Sequence, residues 1–572
     1  MKILLIYPYF LDARLNAEDI QSPPMGIYHV AAVLKDGGHA VEVLNWHDRG
    51  ISTEHIENEL RARGPRVIGF SILHANRWGG IEIARIAKRI DPGVTVVFGG
   101  VGATHLWDHF LEHFQEVDFI VRGEGESTFA KLIAALEGHG SAELKSIPGL
   151  AFRHEGRPFK SDPAEGVCEL DELSMPARHF DLAHVSLTRG CVQNCTFCGS
   201  PAFWGRRVRY HSPDYFVEQL AVLRSRGRRF FYVSDDTFTL DRRRVIEVCR
   251  QIIARRLGIS WAAISRVDTV DEEVLAWMRR AGCIQISYGV ESGSPAIRKR
   301  LNKKISAKQI RSAFELTQRY GIMARAYFIY GCPGESGKTI QQTIDLMLEL
   351  KPLGAVFYIL DIFPGTRLYA DMKQRLGVTE DTWLDRVEDI MYFETDPKLS
   401  SAQILQWGET LRGSFYRSLP GFVEALDPVD DAEFFALHAD FFSRLAMTFD
   451  QGDYAQVEAI PGKPLLAEML YHRALGYHPD ARAFLGLGIL KQKDRRYDES
   501  VDILKEGLAH FPEDERLLTC LAVSLMNLGR FQEALGLLER CPGLAEAQRL
   551  AEACRGALGR SRDVALQSRT IP

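Results

Sequence analysis

The sequence predicts two consecutive α/β domains followed by an all-helical region. Short apolar runs alternate with helical patterns along residues 1–140, and the alternation starts again near residue 181. Residues 401–572 have helical patterns throughout and carry a repeat with a period of about 34 residues. A turn-rich segment at 141–180 is expected to act as a linker between the α/β domains.

Residues 1–140 are expected to form an open, doubly wound, Rossmann-like domain. Its first strand is KILLIY at 2–7, a nearly continuous apolar run of the kind that a parallel strand buried on both faces requires. Four similar runs follow at 40–46, 66–71, 94–100 and 117–123. Ligands of such sheets bind beyond the carboxyl ends of the strands, so GGVGAT at 99–104 and RGEGE at 122–126 are candidate ligand loops. No G-x-G-x-x-G follows the first strand, which disfavours a nicotinamide or flavin dinucleotide.

Residues 181–400 are expected to form a barrel or a partial (βα)6 barrel of the TIM type. Six apolar runs separated by helical patterns predict strands at 184–189, 230–235, 260–265, 284–290, 324–331 and 356–363. Polar or glycine-rich residues follow every run, at the edge where barrels of this kind gather their chemistry. The first run leads into RGCVQNCTFC at 189–198, and the others lead into SDD, SRVD, VES, GCPGES and FPGTRLY.

The C-terminal region, 401–572, is expected to be all-α. Two stretches within about 481–545 align at an offset of about 34 residues, so that Arg496 matches Arg530. This period resembles that of tetratricopeptide repeats, which are stacked helix pairs. Since two repeats rarely suffice for a stable stack, helices from 431 to 475 are expected to cap it.

Composition excludes several broad classes of function. The chain has 572 residues and a net charge of −5, from 75 acidic and 70 basic side chains. No basic block dominates, so neither nucleic-acid binding nor membrane-surface binding is predicted. No uncharged apolar run approaches the roughly 18–20 residues that span a bilayer, and the start does not match a secretory signal. A reducing, cytoplasmic location is therefore expected, in which clustered cysteines bind metal more often than they form disulfides.

Three cysteines have the spacing C-x3-C-x2-C, at Cys191, Cys195 and Cys198, whereas the other cysteines are scattered singly. A structural zinc usually needs four protein ligands, and His179 and His211 are the remaining candidates for a fourth. A disulfide would leave an odd thiol and suits a reducing cell poorly. Soft thiolates favour an iron–sulfur cluster, and three of them on a four-iron cluster leave one iron open to a small molecule.

The cysteine spacing, with the aromatic Phe197 before the last cysteine, resembles that of the radical S-adenosylmethionine (SAM) superfamily. The strand-end motifs that follow are similar, in order, to those of its partial six-unit barrel. The domain in front resembles the cobalamin-binding domain of the cobalamin-dependent radical SAM enzymes, through the stretch at 23–44, GG at 99–100 and RGEGES at 122–127. The resemblance covers residues 1–400 and leaves the helical tail outside it.

The resemblance implies roles for individual barrel residues. The three cysteines would ligate a four-iron four-sulfur cluster, whose open iron takes the amino and carboxylate groups of SAM. The implied SAM-binding residues are Ser234, Asp235, Asp236, Ser265, Arg266, Glu291, Ser292 and Gly331. Arg266 would bind the SAM carboxylate through its forked donors, Glu291 would accept ribose hydroxyls, and Gly331 would line the adenine. The structural alternatives are that Arg266 pairs with Asp268 and that Glu291 caps the helix near Pro295.

On the N-terminal side the resemblance implies cobalamin. The implied cobalamin-binding residues are Ser71, His74, Gly99, Gly100, Gly102, Thr104, Gly123 and Glu124. The motif D-x-H-x-x-G, whose histidine ligates cobalt in many cobalamin domains, does not occur in this sequence. The loop SILHANRW at 71–78 follows a strand, so His74, Arg77 or Trp78 is a candidate to face the ring, although a lone histidine is more often structural. A domain that has kept the fold and lost the cofactor is the alternative.

The implied activity is that of a cobalamin-dependent radical SAM methyltransferase. It would place a methyl group on an unactivated carbon or phosphorus centre, through a 5′-deoxyadenosyl radical and methylcobalamin. The substrate would be a small or carrier-bound molecule, the electron donor would be of flavodoxin or ferredoxin type, and the tail would dock a partner. The alternatives are cyclisation, oxidation or rearrangement without net methylation, and an interaction protein built on the tail. The methylthiotransferase type normally has another cysteine triad in its first domain. No cysteine precedes Cys168 here, so this type is not expected.

Overall fold

The computed structural model describes residues 1–11, 25–47, 51–138 and 144–567, with side chains to 559. The predicted boundary at 140, the first residues of the predicted linker and the start of the stretch 23–44 lie outside the described residues. The chain divides into two compact units. The first comprises 1–315 and 324–412, and the second comprises 316–323 and 413–572.

A parallel sheet forms the N-terminal part of the first unit. Its strands are β1 (Lys2–Tyr7), β2 (Ala40–Asn45), β3 (Val67–Ser71), β4 (Thr95–Gly99) and β5 (Phe119–Val121). They lie in the order β2-β1-β3-β4-β5, so the direction of strand addition reverses at β1 as in a doubly wound fold. The accompanying helices are α1 (Met25–Asp36), α2 (Thr53–Arg63), α3 (Arg77–Ile90), α4 (Val101–His105), α5 (Trp107–His113) and α6 (Gly125–Glu137). The predicted domain type and its five strands are confirmed.

Two further strands, β6 (Leu150–His154) and β7 (Arg157–Lys160), extend this sheet beyond β5 in antiparallel pairing. They lie in the segment 141–180, so the expectation of a plain linker misses a hairpin. The hairpin turns at Glu155 and Gly156, whose φ values of 53° and 78° are those of a type I′ turn. Glu-Gly is a weaker hairpin signal than Asn-Gly or Asp-Gly, and for this reason the sequence did not predict the hairpin.

A second sheet belongs to the barrel part of the first unit. Its strands are β8 (His184–Val185), β11 (Phe230–Val233), β12 (Ser260–Ser265), β13 (Cys283–Glu291), β14 (Met323–Tyr330) and β15 (Gly354–Ile359). Pairing is parallel from β8 through β13 and between β14 and β15, and the order β15-β14-β13-β12-β11-β8 follows the chain. A short antiparallel pair, β9 (Thr188–Arg189) and β10 (Arg209–Tyr210), flanks the cysteine loop. The partial barrel is confirmed.

The barrel helices start and stop where local chemistry demands it. They are α7 (Ser200–Trp204), α8 (Pro213–Ser225), α9 (Arg242–Ala254), α10 (Glu272–Arg280), α11 (Pro295–Arg300), α12 (Ala307–Arg319), α13 (Gly337–Leu350) and α14 (Arg367–Leu376). The side chains of Ser212, Asp241 and Asp271 cap α8, α9 and α10 by accepting backbone N–H groups. Fully buried Trp261 and Tyr288 anchor β12 and β13 in the core. This packing fixes where the strands end and therefore where the site-bearing loops begin.

The C-terminal region is all-α, as predicted. Its helices are α15 (Ser401–Glu424), which begins in the first unit, and α16 (Phe435–Asp450), α17 (Lys463–Tyr477), α18 (Ala481–Lys493), α19 (Tyr497–His510), α20 (Glu515–Asn527), α21 (Phe531–Leu538) and α22 (Ala545–Gln567). Across the described ranges of the whole chain, no helix has both the length and the apolar character needed to cross a bilayer.

Equivalent contacts recur in two successive helix pairs of the second unit, α18–α19 and α20–α21. Asp480 caps the first helix of one pair, and Asp514 caps the first helix of the other. Arg496 binds Glu499 at the start of α19, and Arg530 makes the equivalent ion pair at the start of α21. These contacts agree with a helical repeat, and its tetratricopeptide type stays a prediction.

Candidate active site

A cavity of about 690 Å³ lies where the carboxyl ends of the first sheet meet the cysteine loop of the barrel. Its volume is in the range of pockets that hold a cofactor or small molecule. Most of the residues predicted to bind cobalamin line it, namely Ser71, His74, Gly99, Gly100, Gly102, Gly123 and Glu124. The barrel contributes Arg189, Ser200, Trp204, Ser234 and Asp236, among others. The structure therefore brings both glycine loops and the neighbourhood of the cysteines to one cavity.

Thr104 is the predicted cobalamin residue that does not line the cavity. Its hydroxyl donates to the carbonyl of Gly100 at 2.8 Å and accepts the backbone N–H of Gly123 at 2.9 Å. It thus ties the two glycine loops together. Gly102 allows the close packing of these loops, because a Cβ there would lie 2.5 Å from the backbone carbon of Leu73. Thr104 is a positioning residue for the cavity wall.

His74 follows β3 and lines the cavity. Its Nε2 lies 2.9 Å from Oδ2 of Asp361, which comes shortly after β15. The rings of Phe363 and Trp383 pack against the imidazole at centroid distances of 4.8 Å and 5.8 Å. The barrel therefore holds a histidine of the N-terminal domain within the cavity wall.

Arg77 and Trp78, the other candidates to face a bound ring, are committed elsewhere. Arg77 is fully buried and donates to the carbonyls of His74, Asp385 and Glu388 at 2.8 Å, 3.1 Å and 3.0 Å. The indole N–H of Trp78 also donates to the carbonyl of Asp385, at 2.9 Å. Neither residue lines the cavity, and their donors satisfy backbone carbonyls that the sequence pattern does not connect with them.

On the N-terminal side of the cavity wall, two buried polar atoms have no hydrogen-bond partner among the described residues. They are Oη of Tyr7 and Nδ1 of His29. Burial lowers the pKa of His29 well below its usual value, and Arg189 adds to this effect, so the imidazole is neutral. An unpaired buried polar group costs about 1–3 kcal/mol, so a ligand that paired with these atoms would be stabilised by them. Neither was predicted, although Tyr7 ends β1 and therefore lies at the expected edge of the sheet.

The loop that carries the three predicted cysteines is held by backbone contacts. The N–H of Thr196 donates to the carbonyl of Leu301 at 3.0 Å, and the N–H of Leu368 donates to the carbonyl of Thr196 at 2.9 Å. The side chain of Asn302 donates to the carbonyl of Asn194 at 2.5 Å. The loop is thus shaped by the protein itself, through segments after α11 and at the start of α14 that were not predicted.

All three thiols of Cys191, Cys195 and Cys198 are free and partly buried. Burial raises the pKa of Cys198 to about 12 and also raises the pKa of Cys195. Burial therefore favours the neutral thiol at Cys195 and Cys198 until a metal binds, because the thiolate is the form that ligates iron. The three cysteines are close enough that Cys191 influences the pKa of both others.

The zinc alternative lacks a fourth ligand in the described part of the chain. Nε2 of His179 lies 2.7 Å from Asp36, and Nδ1 of His211 lies 3.0 Å from Asp171. No three His, Cys, Asp or Glu side chains of the described residues converge as they do around a single ion. A four-iron cluster asks for a wider arrangement, because each thiolate binds a different iron. Three thiols without a fourth donor fit such a cluster.

Two of the residues predicted to bind SAM, Ser234 and Asp236, line the cavity. Oδ2 of Asp236 accepts a hydrogen bond from Ser200 at 2.6 Å, on the helix that follows the last cysteine. The hydroxyl of Ser234 lies 2.9 Å from Nδ1 of His184. These two side chains therefore lie where the cysteine loop meets the cavity.

Asp235, between them in the chain, points the other way. Its Oδ1 accepts the backbone N–H groups of Leu187 and Thr188 at 2.9 Å and 3.1 Å. Burial raises its pKa to about 7. In this structure Asp235 braces the chain that leads into the cysteine loop and does not line the cavity that Ser234 and Asp236 share.

Arg266 and Glu291 already have charged partners. Arg266 binds Asp268 through Nε and Nη2 at 2.9 Å and 2.8 Å, which is the structural alternative foreseen for it. Oε1 of Glu291 lies 2.7 Å from Nζ of Lys303, and both side chains are buried. Glu291 does not cap α11, whose N-cap is Ser294. Its φ of 65° is uncommon outside glycine and typical of functional sites.

The remaining predicted SAM residues shape the ends of strands. The hydroxyl of Ser265 bonds to that of Thr239, and the hydroxyl of Ser292 lies 3.2 Å from that of Thr343. Gly331 follows β14 with a φ of 77°, where a side chain would strain the backbone. Direct contact of these three residues with SAM stays a prediction.

A buried group of four charges, here called the charge quartet, joins the two sides of the cavity. Arg189 contacts Glu124 at 2.8 Å and Glu126 at 2.7 Å, and Arg209 contacts Glu124 at 2.5 Å. Each of the four side chains is less than a tenth exposed. The guanidinium of Arg189 also lies 5.5 Å from the ring of Trp204. Only Glu124 was predicted as a site residue, although RGEGE and TRGC contain three members of the quartet.

Two family models match this chain, and each matched range contributes residues to the cavity. Residues 19–133 match the model of the B12 binding domain, and residues 185–347 match that of the radical SAM superfamily. The first range contains the glycine loops, and the second contains the cysteine triad and the strands β9 to β14. Both sides of the cavity thus belong to a recognised domain.

The similarity to curated relatives and to a solved structure extends over most of the length of each of them. An uncharacterized methyltransferase of Pyrococcus horikoshii is 32% identical over 64% of this chain and 82% of the relative. The anaerobic magnesium-protoporphyrin IX monomethyl ester cyclase of Rubrivivax gelatinosus is 26% identical over 68% of this chain and 73% of the relative. The radical SAM methyltransferase TsrM of Kitasatospora setae, solved with cobalamin and a [4Fe–4S] cluster, has a similar fold. Its TM-score is 0.59 at 16% identity, over 83% of this chain and 99% of TsrM.

The chain belongs to the cobalamin-dependent radical SAM enzymes, and methyl transfer is the activity that this membership supports. The cofactors of such an enzyme are a four-iron four-sulfur cluster, SAM and cobalamin. The residues present fit these groups. Three thiols without a fourth donor suit the cluster, and glycine loops beside two unpaired buried polar atoms suit cobalamin.

Proposed function

We propose that this enzyme transfers a methyl group to an unactivated carbon or phosphorus centre of a small molecule. One observation carries the proposal: a single cavity is lined both by the glycine loops of the cobalamin-binding domain and by residues that border the cysteine loop. When bound, the three cofactors supply a radical and a methyl group, which side chains alone cannot provide. What the chain supplies is placement, charge pairing and the exclusion of water.

The proposed cobalamin contacts are the seven predicted residues on the cavity wall, joined by two unpaired polar side chains. Tyr7 and His29 offer a hydroxyl and a neutral imidazole nitrogen at the cavity wall. Gly99, Gly100 and Gly123 keep part of the wall free of side chains, so backbone can approach a flat ligand. Thr104 holds these glycine loops in register.

The proposed SAM site uses Asp236 and Ser234 at the cavity, with Arg266 and Glu291 next to the cysteine loop. Both Arg266 and Glu291 influence the pKa of Cys195, which supports a SAM site beside the cysteine loop. Each must exchange its present partner for a SAM group. A carboxylate of SAM would replace Asp268 on the guanidinium, which suits a bidentate acceptor.

Aromatic side chains complete the proposed reaction chamber. Phe203, Trp204 and Phe363 line the cavity between the polar residues. A site that excludes water strengthens electrostatic contacts and protects reactive species from quenching. The buried charge quartet beside Trp204 holds the two walls together without presenting a free charge to the chamber.

The decisive experiment is anaerobic reconstitution with iron, sulfide and cobalamin, followed by SAM and a strong reductant. We expect iron and cobalt to be bound and 5′-deoxyadenosine to form. With a substrate, the product should gain one CH2 and S-adenosylhomocysteine should appear. Cys195→Ala should hold little iron and cleave no SAM. Cys168→Ala, at an exposed cysteine outside the triad, is the matched control and should behave like the wild type.

A second candidate function is cyclisation, oxidation or rearrangement without net methylation. The similarity to an anaerobic magnesium-protoporphyrin ester cyclase favours keeping it. Product mass separates the two, because this reaction cleaves SAM without adding CH2 to the substrate. The interaction-protein alternative would prevail only if Cys195→Ala left the cellular function of the protein intact.

We also propose the partners and the division of the chain. A flavodoxin or ferredoxin is the proposed electron donor, and the helical tail is the proposed docking site for a carrier-bound substrate or protein partner. All ten cysteines are free thiols, which supports a reducing, cytoplasmic setting. The predicted domains at 1–140 and 181–400 are supported by family matches at 19–133 and 185–347, and the predicted region at 401–572 is supported by its helices.

A further inference from the structure

The loop that carries His74 is fixed at its backbone. Asn76 accepts the N–H of Leu73 at 2.7 Å, and Arg77 donates to the carbonyl of His74 at 2.8 Å. On the other side, Gly102 packs so closely that a Cβ there would lie 2.7 Å from the backbone nitrogen of His74. These contacts therefore fix the position of the His74 backbone and the direction in which its side chain leaves it.

The imidazole ring is fixed as well. Asp361 holds Nε2 at 2.9 Å, and Phe363 and Trp383 pack against the ring. His74 is only 8% exposed, yet it lines the cavity. Its other nitrogen, Nδ1, makes no hydrogen bond with any residue in the described ranges. One uncommitted nitrogen is thus held rigidly in the wall of the proposed cobalamin site.

A carboxylate on one nitrogen of a histidine selects the tautomer of the ring. With Asp361 ionised, Nε2 carries the proton and donates it, which leaves the lone pair on Nδ1. The same arrangement orients metal-ligating histidines in proteins and makes them more basic. Arg77 and Trp78 cannot take this role, because they have only donors and those donors are used.

We propose that Nδ1 of His74 is the ligand that the protein supplies to the cobalt of bound cobalamin. Asp361 is the positioning residue that fixes its tautomer. This inference rests on the cobalamin site of the proposed function. It assigns a cobalt ligand in a sequence that lacks D-x-H-x-x-G, and it takes that ligand from the loop after β3. It also gives the barrel a part in cobalt coordination, because Asp361 follows β15.

The test is electron paramagnetic resonance of protein loaded anaerobically with cob(II)alamin. The protein is produced with histidine that carries nitrogen-15 in the ring, whereas the cofactor keeps natural nitrogen-14. Any splitting from nitrogen-15 therefore comes from the protein and not from the cofactor's own base. We expect the triplet splitting of the cobalt lines in unlabelled protein to become a doublet in labelled protein. If cob(II)alamin bound and the splitting of its cobalt lines were the same in labelled and unlabelled protein, the proposal would be overturned.

Variants separate ligation from positioning. His74→Ala should bind cofactor without the label-sensitive splitting. Asp361→Asn should keep the splitting and bind cob(II)alamin about 10–100-fold more weakly. Replacing a residue that hydrogen-bonds to a metal ligand commonly has an effect of this size. His179→Ala is the matched control, because it removes the histidine of another His–Asp pair in the same unit. If it changed the splitting as His74→Ala does, the assignment would fail.

Two outcomes keep this proposal apart from the proposed function. Label-sensitive splitting in an enzyme that methylates nothing would support the cobalt ligand and remove the methyl transfer. Methylation by a protein whose splitting ignores the label would do the reverse. If His74→Ala does not fold, the labelled wild type decides the matter by itself, since it needs no substitution.

Discussion

The proposed cobalamin site and the proposed SAM site differ in how their polar groups are satisfied. On the cobalamin side, Tyr7 and His29 keep unpaired atoms on the wall, and glycines leave the space open. At the proposed SAM site, Arg266 and Glu291, which do not line the cavity, already hold ion pairs. The proposed cobalamin site would therefore gain contacts when its ligand binds. The proposed SAM site would have to exchange partners, so part of the attraction for its ligand would be spent on breaking existing ion pairs.

The charge quartet joins the N-terminal wall of the cavity to its barrel wall. Removing one member of a buried, paired group leaves an uncompensated charge behind, which costs about 3–5 kcal/mol. Arg189→Met leaves Glu126 without its cation while Glu124 keeps Arg209. We expect this variant to lower the free energy of unfolding of the first unit by about 3–5 kcal/mol, measured by denaturant titration of the apoprotein.

A surface pair provides the control for this prediction. Arg85→Met breaks an exposed pair with Glu116 in the same unit and should cost no more than about 1 kcal/mol. Arg189→Met/Glu126→Gln should recover part of the loss, because it removes the stranded carboxylate charge. Equal stability of Arg189→Met and Arg85→Met would show that the quartet does not join the two sides.

The elements of the fold were predictable because each has a local signature. Parallel strands buried on both faces need runs such as KILLIY, and the six barrel strands repeat that pattern in order. The cysteine triad is local too, since its members lie within one short loop. Glycines 99, 100 and 123 were found by a topological rule, which places ligands at the carboxyl edge of a parallel sheet.

The partners that complete the site were not predictable, because they are distant in sequence. Arg189 and Glu124 are 65 positions apart, and His74 and Asp361 are 287 apart. Opposite charges are common in any chain, so no pattern says which will meet. The same limit explains Arg77 and Trp78, which lie in the right loop but turn to carbonyls beyond residue 380. Side-chain direction depends on packing, which a loop sequence does not specify.

The SAM side is sharpened by Glu291→Gln. The amide keeps a neutral contact with Lys303 but loses the charged acceptor proposed for the ribose. Hydrogen bonds to charged groups contribute about 1.5–3 kcal/mol, so the Kd of SAM should rise about 10–100-fold in calorimetric titration of reconstituted protein. Iron content should stay at the wild-type value, which separates this effect from loss of the cluster.

The control for that variant is Glu349→Gln, which affects an exposed ion pair with Arg311 in the same unit. It should leave the Kd of SAM unchanged. If Glu291→Gln also left it unchanged, the pair of Glu291 with Lys303 would be a structural contact, and the ribose would have to find its acceptor elsewhere.

The brace under the cysteine loop predicts a dependence of stability on pH. Burial raises the pKa of Asp235 to about 7 in the folded protein, above its ordinary value of 3.8. The folded state therefore binds the proton more tightly than the unfolded state does. The resulting stabilisation is complete below the ordinary value and is lost as pH rises through about 7.

Asp235→Asn should remove this dependence, because the amide oxygen can still accept the N–H groups of Leu187 and Thr188. Between about pH 4 and 7 the wild type should lose on the order of 1 kcal/mol per pH unit relative to the variant, in apoprotein unfolding curves. Asp181→Asn is a control of opposite sign, because Arg228 lowers the pKa of Asp181. Parallel curves for wild type and Asp235→Asn would contradict the brace.

The cobalamin side is tested most finely by Tyr7→Phe, for which stability and affinity should change in opposite directions. The hydroxyl is buried and unpaired in the free protein, so its removal should leave the apoprotein equally stable or more stable by about 1 kcal/mol. If the hydroxyl pairs with cobalamin, its loss should weaken binding by about 2–10-fold, measured by titration with hydroxocobalamin. Tyr471→Phe removes another buried, unpaired hydroxyl, in the helical unit, and should change stability alone. If Tyr7→Phe lowered stability and left the affinity intact, the cobalamin side would be a closed core, and its contrast with the SAM side would disappear.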